Sequence, residues 1–370
     1  MPLFPADYRE RKYLQFDGLR AFAVFGVMYH HWVWNVVSAD AYNRWYHYFF
    51  KVELGGLGVK IFFVISGFLI TDILLNSKNC GSDEKRSFIK AFYARRTLRV
   101  FPIYFLTLGV TSYLGLKPFR EDFWWFALYS ANILIYLKQD LLGAGTHLWT
   151  LAVEEQFYCF WPLIAIFFTR NFERVAICIV IGSFATRIFC GVFCPGGYIG
   201  VLPVLSMETL AIGGLLALRT RTAQVIEAMV KRLAWLPLVT YPLSVIGIKG
   251  LGVGILTHIG DVSLAVYLVS SASRNFTGCI GRVLSIPSIR YLGVISYGLY
   301  LYHPFAGKVA RSIFQNFGID FWALDFAFVV VLMTMLTVVG AVLSWVIIER
   351  PVNSLKRFFP YLPQATKRTV

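Results

Sequence analysis

Residues 19–37 read LRAFAVFGVMYHHWVWNVV. Wound as a helix at about 1.5 Å of rise per residue, such a run matches the roughly 30 Å hydrocarbon core of a bilayer. Arg9, Arg11 and Lys12 ahead of it, with Val37, Ser38 and Ala39 behind, resemble the flanks of a cleaved leader. A leader core is only about 7–15 residues long, however, and this run also carries His30, His31 and Asn35. It reads as a retained transmembrane helix. Composition agrees: of 370 residues, 57% are hydrophobic and 15% charged, against roughly 25% charged in a soluble domain. So much apolar surface has no room inside one globule of this size.

Further apolar runs lie near 55–75, 97–114, 123–137, 148–168, 175–193, 199–218, 233–249, 251–273, 290–313 and 322–348. The charge balance is basic, 35 Lys+Arg against 20 Asp+Glu, which suits either a nucleic-acid binder or a membrane protein with basic cytoplasmic loops. Here the basic residues sit between apolar runs and form no stripe, so the partner is the lipid bilayer and not nucleic acid. Both termini are basic and therefore cytoplasmic, which requires an even number of crossings. The short aromatic run 123–137 is taken to dip into the outer leaflet. The segments Lys78–Arg99, Arg170/Arg174, Arg219–Arg232 and Arg274–Arg290 then all face the cytoplasm. The expectation is an all-α polytopic membrane bundle: ten transmembrane helices, both termini cytoplasmic, one domain over 1–370 with no soluble appendage. The cysteines offer no C-x-x-C pair, so no metal site is expected, although Cys190 and Cys194 could pair in an oxidising compartment.

Ionisable groups inside such runs cost several kcal/mol unless they face a cavity or a partner. Arg20 and His31 are eleven residues apart, which returns to the same helix face about 16 Å further along, while His30 points elsewhere and reads as structural. Arg20 could equally snorkel to the interface. Arg95, Arg96 and Arg99 cluster where the third run begins, as a positive-inside cap or as a phosphate site suited to the guanidinium fork. His147 is followed by Glu154 and Glu155, two adjacent carboxylates in one span that packing does not explain. Glu208 stands alone in its run. His303 follows Tyr297, Tyr300 and Tyr302, which read either as an interfacial belt or as the wall of a site.

These residues carry a resemblance. Asp17-Gly-Leu-Arg20 with His31, Gly58 to Thr71, Arg96-x-x-Arg99, Trp149 to Tyr158, Ile295 to Pro304 and Glu349-Arg-Pro351 occur in an order that resembles the bacterial acyltransferase-3 family of membrane-bound O-acyltransferases. One departure is Lys60, where the family usually has an acid, and altered acceptor recognition is the expected consequence. The resemblance implies transfer of an acyl group, most simply acetyl, from cytoplasmic acyl-CoA to a saccharide hydroxyl at the bacterial inner membrane. Acyl-CoA is then a co-substrate and no bound cofactor is needed. Arg20, Arg96 and Arg99 are expected to hold the donor, and His31 to act as base or acyl carrier. Glu154 or Glu155 would orient that imidazole, with Lys60, His147, Glu208 and His303 towards a saccharide or lipid-linked oligosaccharide acceptor. The rival class is a transporter or flippase for a glycan-linked substrate, against which stands the lack of an inverted repeat.

Overall fold

The computed structural model describes residues 13–37, 54–75, 82–168, 170–194, 196–248, 250–321 and 324–361. Every regular element among them is helical. The first apolar run forms α1 (Gln15–Val37), and the second α2 (Leu54–Leu75). Then come α3 (Ser82–Tyr113), α4 (Phe123–Ala127), α5 (Ala131–Lys138), α6 (Leu148–Phe167) and α7 (Phe172–Phe193). They are followed by α8 (Met207–Leu218), α9 (Arg221–Leu233), α10 (Pro237–Val245) and α11 (Leu251–Ser273). The chain continues through α12 (Gly278–Leu284), α13 (Pro287–Val294), α14 (Ser296–Gln315) and α15 (Phe326–Ser344). A π-helical turn, Trp345–Glu349, leads into α16 (Arg350–Ser354).

By length and composition, α2, α7, α11 and the helical stretch Phe326–Phe358 are each apolar and long enough to cross a membrane. α2 is the hub, packed against α1, α6, α8 and α11. Its most apolar window is 56% buried inside the bundle, whereas that of α7 is 17% buried and turns its other faces outward. Close packing around α2 depends on glycine. A Cβ added at Gly67 would overlap the Leu210 carbonyl of α8, and one at Gly213 would overlap the Val64 carbonyl of α2. Helices in lipid gain little from burying apolar area, and small residues that let backbones meet supply the van der Waals contact instead.

Several runs depart from the straight spans expected. The basic stretch before residue 97 and the apolar run after it form one continuous helix, α3, of 32 residues. The run 123–137 breaks into α4 and α5, of 5 and 8 residues, around Tyr129 in the left-handed region. Neither piece approaches the roughly 20 residues of a crossing. The run 199–218 enters through two short 3-10 turns, and only its last 12 residues, α8, are regular helix. In 233–249, α10 spans 9 residues, with Pro237 at its start, Pro242 inside it and Gly247 at positive φ just after it. Proline removes a helix hydrogen bond and ends or kinks the rod. Cys190 and Cys194 do not pair, and both thiols are free.

Candidate active site

α1 and α14 bring two histidines from opposite ends of the chain together. His31 Nδ1 lies 2.6 Å from His303 Nε2, with the two rings nearly parallel at 2°. The neighbouring residue fixes the protons. Pro304 has no N–H to give the carbonyl four residues earlier, that of Tyr300. His303 Nδ1 takes that place and lies 2.7 Å from the Tyr300 oxygen. A carbonyl only accepts, so Nδ1 of His303 carries the hydrogen, and in the neutral ring Nε2 is the acceptor. His31 must then donate through Nδ1, which leaves its Nε2 with a free lone pair. Trp32 Nε1 donates to the His303 carbonyl at 3.1 Å and pins the two helices beside this bond.

His147 completes a group of three imidazoles, its ring centroid 5.1 Å from that of His303. It is 2% exposed, and the carbonyls of Ala144 and Leu301 approach it without meeting hydrogen-bond geometry, so neither ring nitrogen is satisfied. Its own carbonyl accepts from Tyr300 Oη at 2.7 Å, and the hydroxyls of Tyr300 and Thr150 are 2.6 Å apart.

Two cavities meet at this point. The larger, about 330 Å³, is lined by His30, His31, His147, Lys60, Arg187 and His258, among others. The smaller, about 90 Å³, is lined by Arg20, Arg96, Arg99, Glu154, Glu155 and Tyr297 on its polar side. Val59, Phe63, Thr150 and Tyr300 line both and form the wall between them. Val59 and Phe63 share a face of α2 because they are four residues apart.

The smaller cavity gathers the expected arginines except Arg95, whose Nη1 donates to the Lys356 carbonyl at 2.8 Å and ties α3 to the C-terminal segment. Arg20 pairs with Asp17 at 3.0 Å. Arg96 lies over the Tyr158 ring at 4.8 Å, and Tyr158 Oη donates to Ser66 Oγ, which donates to Glu154 at 2.6 Å. Glu154 therefore partners Ser66 among the arginines. The expectation that Glu154 or Glu155 orients His31 gives way to His303, because the carboxylates stand on the other side of the Thr150–Tyr300 wall. His30 also departs from expectation: it lines the larger cavity with His31, since the cavity is wider than the 100° step between successive helical residues. The tyrosines form no belt, for Tyr297 Oη donates to the Val100 carbonyl at 3.0 Å and Tyr302 Oη to Ser344 at 3.1 Å, both inside the bundle.

Behind the larger cavity lie two ion-pair networks. Lys60 Nζ donates to Asp261 at 2.8 Å, and Tyr241 Oη donates to the other oxygen of that carboxylate at 2.6 Å. Glu208 receives Arg187 Nη2 and His258 Nε2, each at 2.7 Å, together with Ser183 Oγ. Glu208 is thus not alone, and Arg187, His258 and Asp261 were each visible as ionisable residues inside apolar runs. Glu349 is a further buried acid, held by Ser344 Oγ at 2.8 Å in the π turn. Such turns recur at functional sites.

A model of the acyltransferase domain of the acyltransferase-3 family matches residues 13–346. The chain belongs to that family. Among curated relatives, the O-acetyltransferase OatA of Staphylococcus aureus is 26% identical over 388 residues, covering 94% of this chain and 58% of the relative. YrhL of Bacillus subtilis, provisionally described as a peptidoglycan O-acetyltransferase, is 27% identical over 383 residues, covering 91% of this chain and 54% of the relative. The chain thus spans little more than half the length of these relatives. No solved structure matches it.

Proposed function

We propose that this protein transfers an acyl group, most simply acetyl, from acyl-CoA to a hydroxyl of a saccharide acceptor at the membrane. The observation that carries the reading is the pair of cavities of unlike chemistry, separated by one layer of side chains, with a histidine of fixed tautomer beside the partition. Arginines suit the phosphates of the donor, because a guanidinium meets phosphate oxygens with two parallel bonds. Family membership and the names of the relatives favour O-acetylation.

In this scheme His31 Nε2 takes the proton of the acceptor hydroxyl as its oxygen attacks the thioester carbonyl. The carbon–sulfur bond breaks, and the thiolate leaves with the proton returned from His31. His303 accepts the His31 Nδ1 hydrogen bond throughout, as a carboxylate does in a catalytic triad. We further propose ten crossings with both termini cytoplasmic, α10 crossing with its irregular flanks and 123–137 not crossing. The smaller cavity then opens inward with Arg20 and Arg96. The larger one, lined by Gly200, Leu205 and Ser206, opens outward.

The test is CoA release from acetyl-CoA, together with acetylation of surface glycans, by membranes carrying the protein or its His31→Ala variant. A loss of at least the ~10²–10⁴ expected of a general base supports the reading. Undiminished transfer by a folded His31→Ala variant overturns it.

A further inference from the structure

The larger cavity has a charge arrangement that a site for neutral sugars does not require. Among the described residues that line it, Lys60 and Arg187 are cationic and none is acidic. The balancing carboxylates lie in the layer behind: Asp261 is 1% exposed and Glu208 2%. Each pair is therefore a dipole with its positive end towards the cavity. Backing a cation with a buried acid fixes its position, and it leaves donors over. Lys60 has three N–H groups and Arg187 five. Arg187 gives Nη2 to Glu208 and to the Leu205 carbonyl, which uses two of its five N–H groups. Ion pairs this deep are costly to assemble and are found where something uses them.

We propose that the larger cavity selects a saccharide unit bearing an acid group, carboxylate or phosphate, and that Lys60 and Arg187 receive that group while a hydroxyl of the same unit faces His31. This rests on the reading of the cavity as the acceptor site and adds the acceptor's chemical class. A volume of about 330 Å³ is at the small end of ligand pockets, roughly 300–1,000 Å³, and suits one sugar ring with its substituent better than a long oligosaccharide. Trp149 lines the same cavity and adds apolar surface to it.

Binding of methyl glucuronide, glucose 1-phosphate and methyl glucoside to the full chain in nanodiscs, followed by calorimetry, tests this. At least one acidic sugar should bind ten-fold or more tightly than methyl glucoside, and which one does so distinguishes carboxylate from phosphate. The paired variants Lys60→Gln with Asp261→Asn, and Arg187→Gln with Glu208→Gln, keep the net charge constant and should each reduce that preference. If a pair fails to fold, raising the salt concentration with the unaltered protein should weaken binding of the acidic sugar alone. Equal affinity for all three sugars, no binding of either acidic sugar, or a preference unchanged in folded paired variants overturns the inference. His31-dependent acetylation of glycans that contain no acid would do so as well while leaving the acyl-transfer reading intact.

Discussion

The two cavities are built from similar residue types arranged in opposite ways. In the smaller one, Glu154 and Glu155 share the lining with Arg20, Arg96 and Arg99, so acids and cations both face the ligand. In the larger one the acids are withdrawn behind Lys60 and Arg187, and imidazoles fill the front. A lining of mixed sign can grip a polyanion and still let it go, since carboxylates temper the pull of three guanidiniums. A lining with its anions recessed keeps a field of one sign, while the imidazoles next to it remain available for proton transfer. Burial and pairing, more than residue identity, decide what each cavity can do.

The largest effect that would break this comparison is one of sidedness. A single cysteine at position 221 should react with a membrane-impermeant maleimide only from the cytoplasmic side, and one at 196 only from outside. The reverse pattern would exchange donor and acceptor cavities. Next comes the imidazole pair. His303→Leu should lower kcat by at least ~10² while leaving the KM for acyl-CoA unchanged, because it loosens the base without touching the arginines. His303→Gln, whose amide oxygen can accept from His31 Nδ1, should recover part of that loss. If Gln and Leu behave alike, the tautomer argument fails.

Arg96→Ala and Arg99→Ala should raise the KM for acyl-CoA with little change for the acceptor. Losing a charge-assisted bond costs about 1.5–3 kcal/mol, roughly 10- to 150-fold. Lys at these positions should restore it only in part, since it lacks the planar fork. An equal rise in both KM values would show that the cavities are not separate sites. The smallest effect belongs to the wall. Thr150→Val removes one hydrogen bond to Tyr300, worth about 0.5–1.5 kcal/mol, and should slow transfer about ten-fold or less at unchanged KM for either substrate, read by steady-state kinetics.

Much of this was legible in the residues alone. Hydropathy finds α1, α2, α7 and α11 within a few residues because each run is mostly apolar and contains no proline. It overstates 199–218 and 233–249, where prolines and glycines break the helix without lowering apolarity. Arg20, Arg96, Arg99 and Glu154 were singled out from charge in the wrong solvent, and they do share one cavity. What spacing on one helix could not reveal was the partner of His31, which lies 272 positions away. Nor could it show that Asp261 supplies the counter-charge of Lys60 from 201 positions away. The dipeptide His303-Pro304 did hold a local signal: proline strips a donor from the Tyr300 carbonyl, which then becomes the anchor for the ring of His303.

The wall shared by Val59, Phe63, Thr150 and Tyr300 also has an electrical meaning. In the proposed orientation the two cavities would admit water to it from opposite faces of the membrane, and the transmembrane voltage would then fall mainly across this thin layer. Each 100 mV is worth about 2.3 kcal/mol per elementary charge. The Thr150 hydroxyl leads to Tyr300 Oη, whose own proton goes to the His147 carbonyl, a dead end for a hopping proton and not a wire. An uncharged acetyl group feels none of that field, whereas a proton or the phosphates of CoA feel all of it. In the proposed reaction, a seal one side chain deep would pass the acyl group and still insulate the cell's ion gradients.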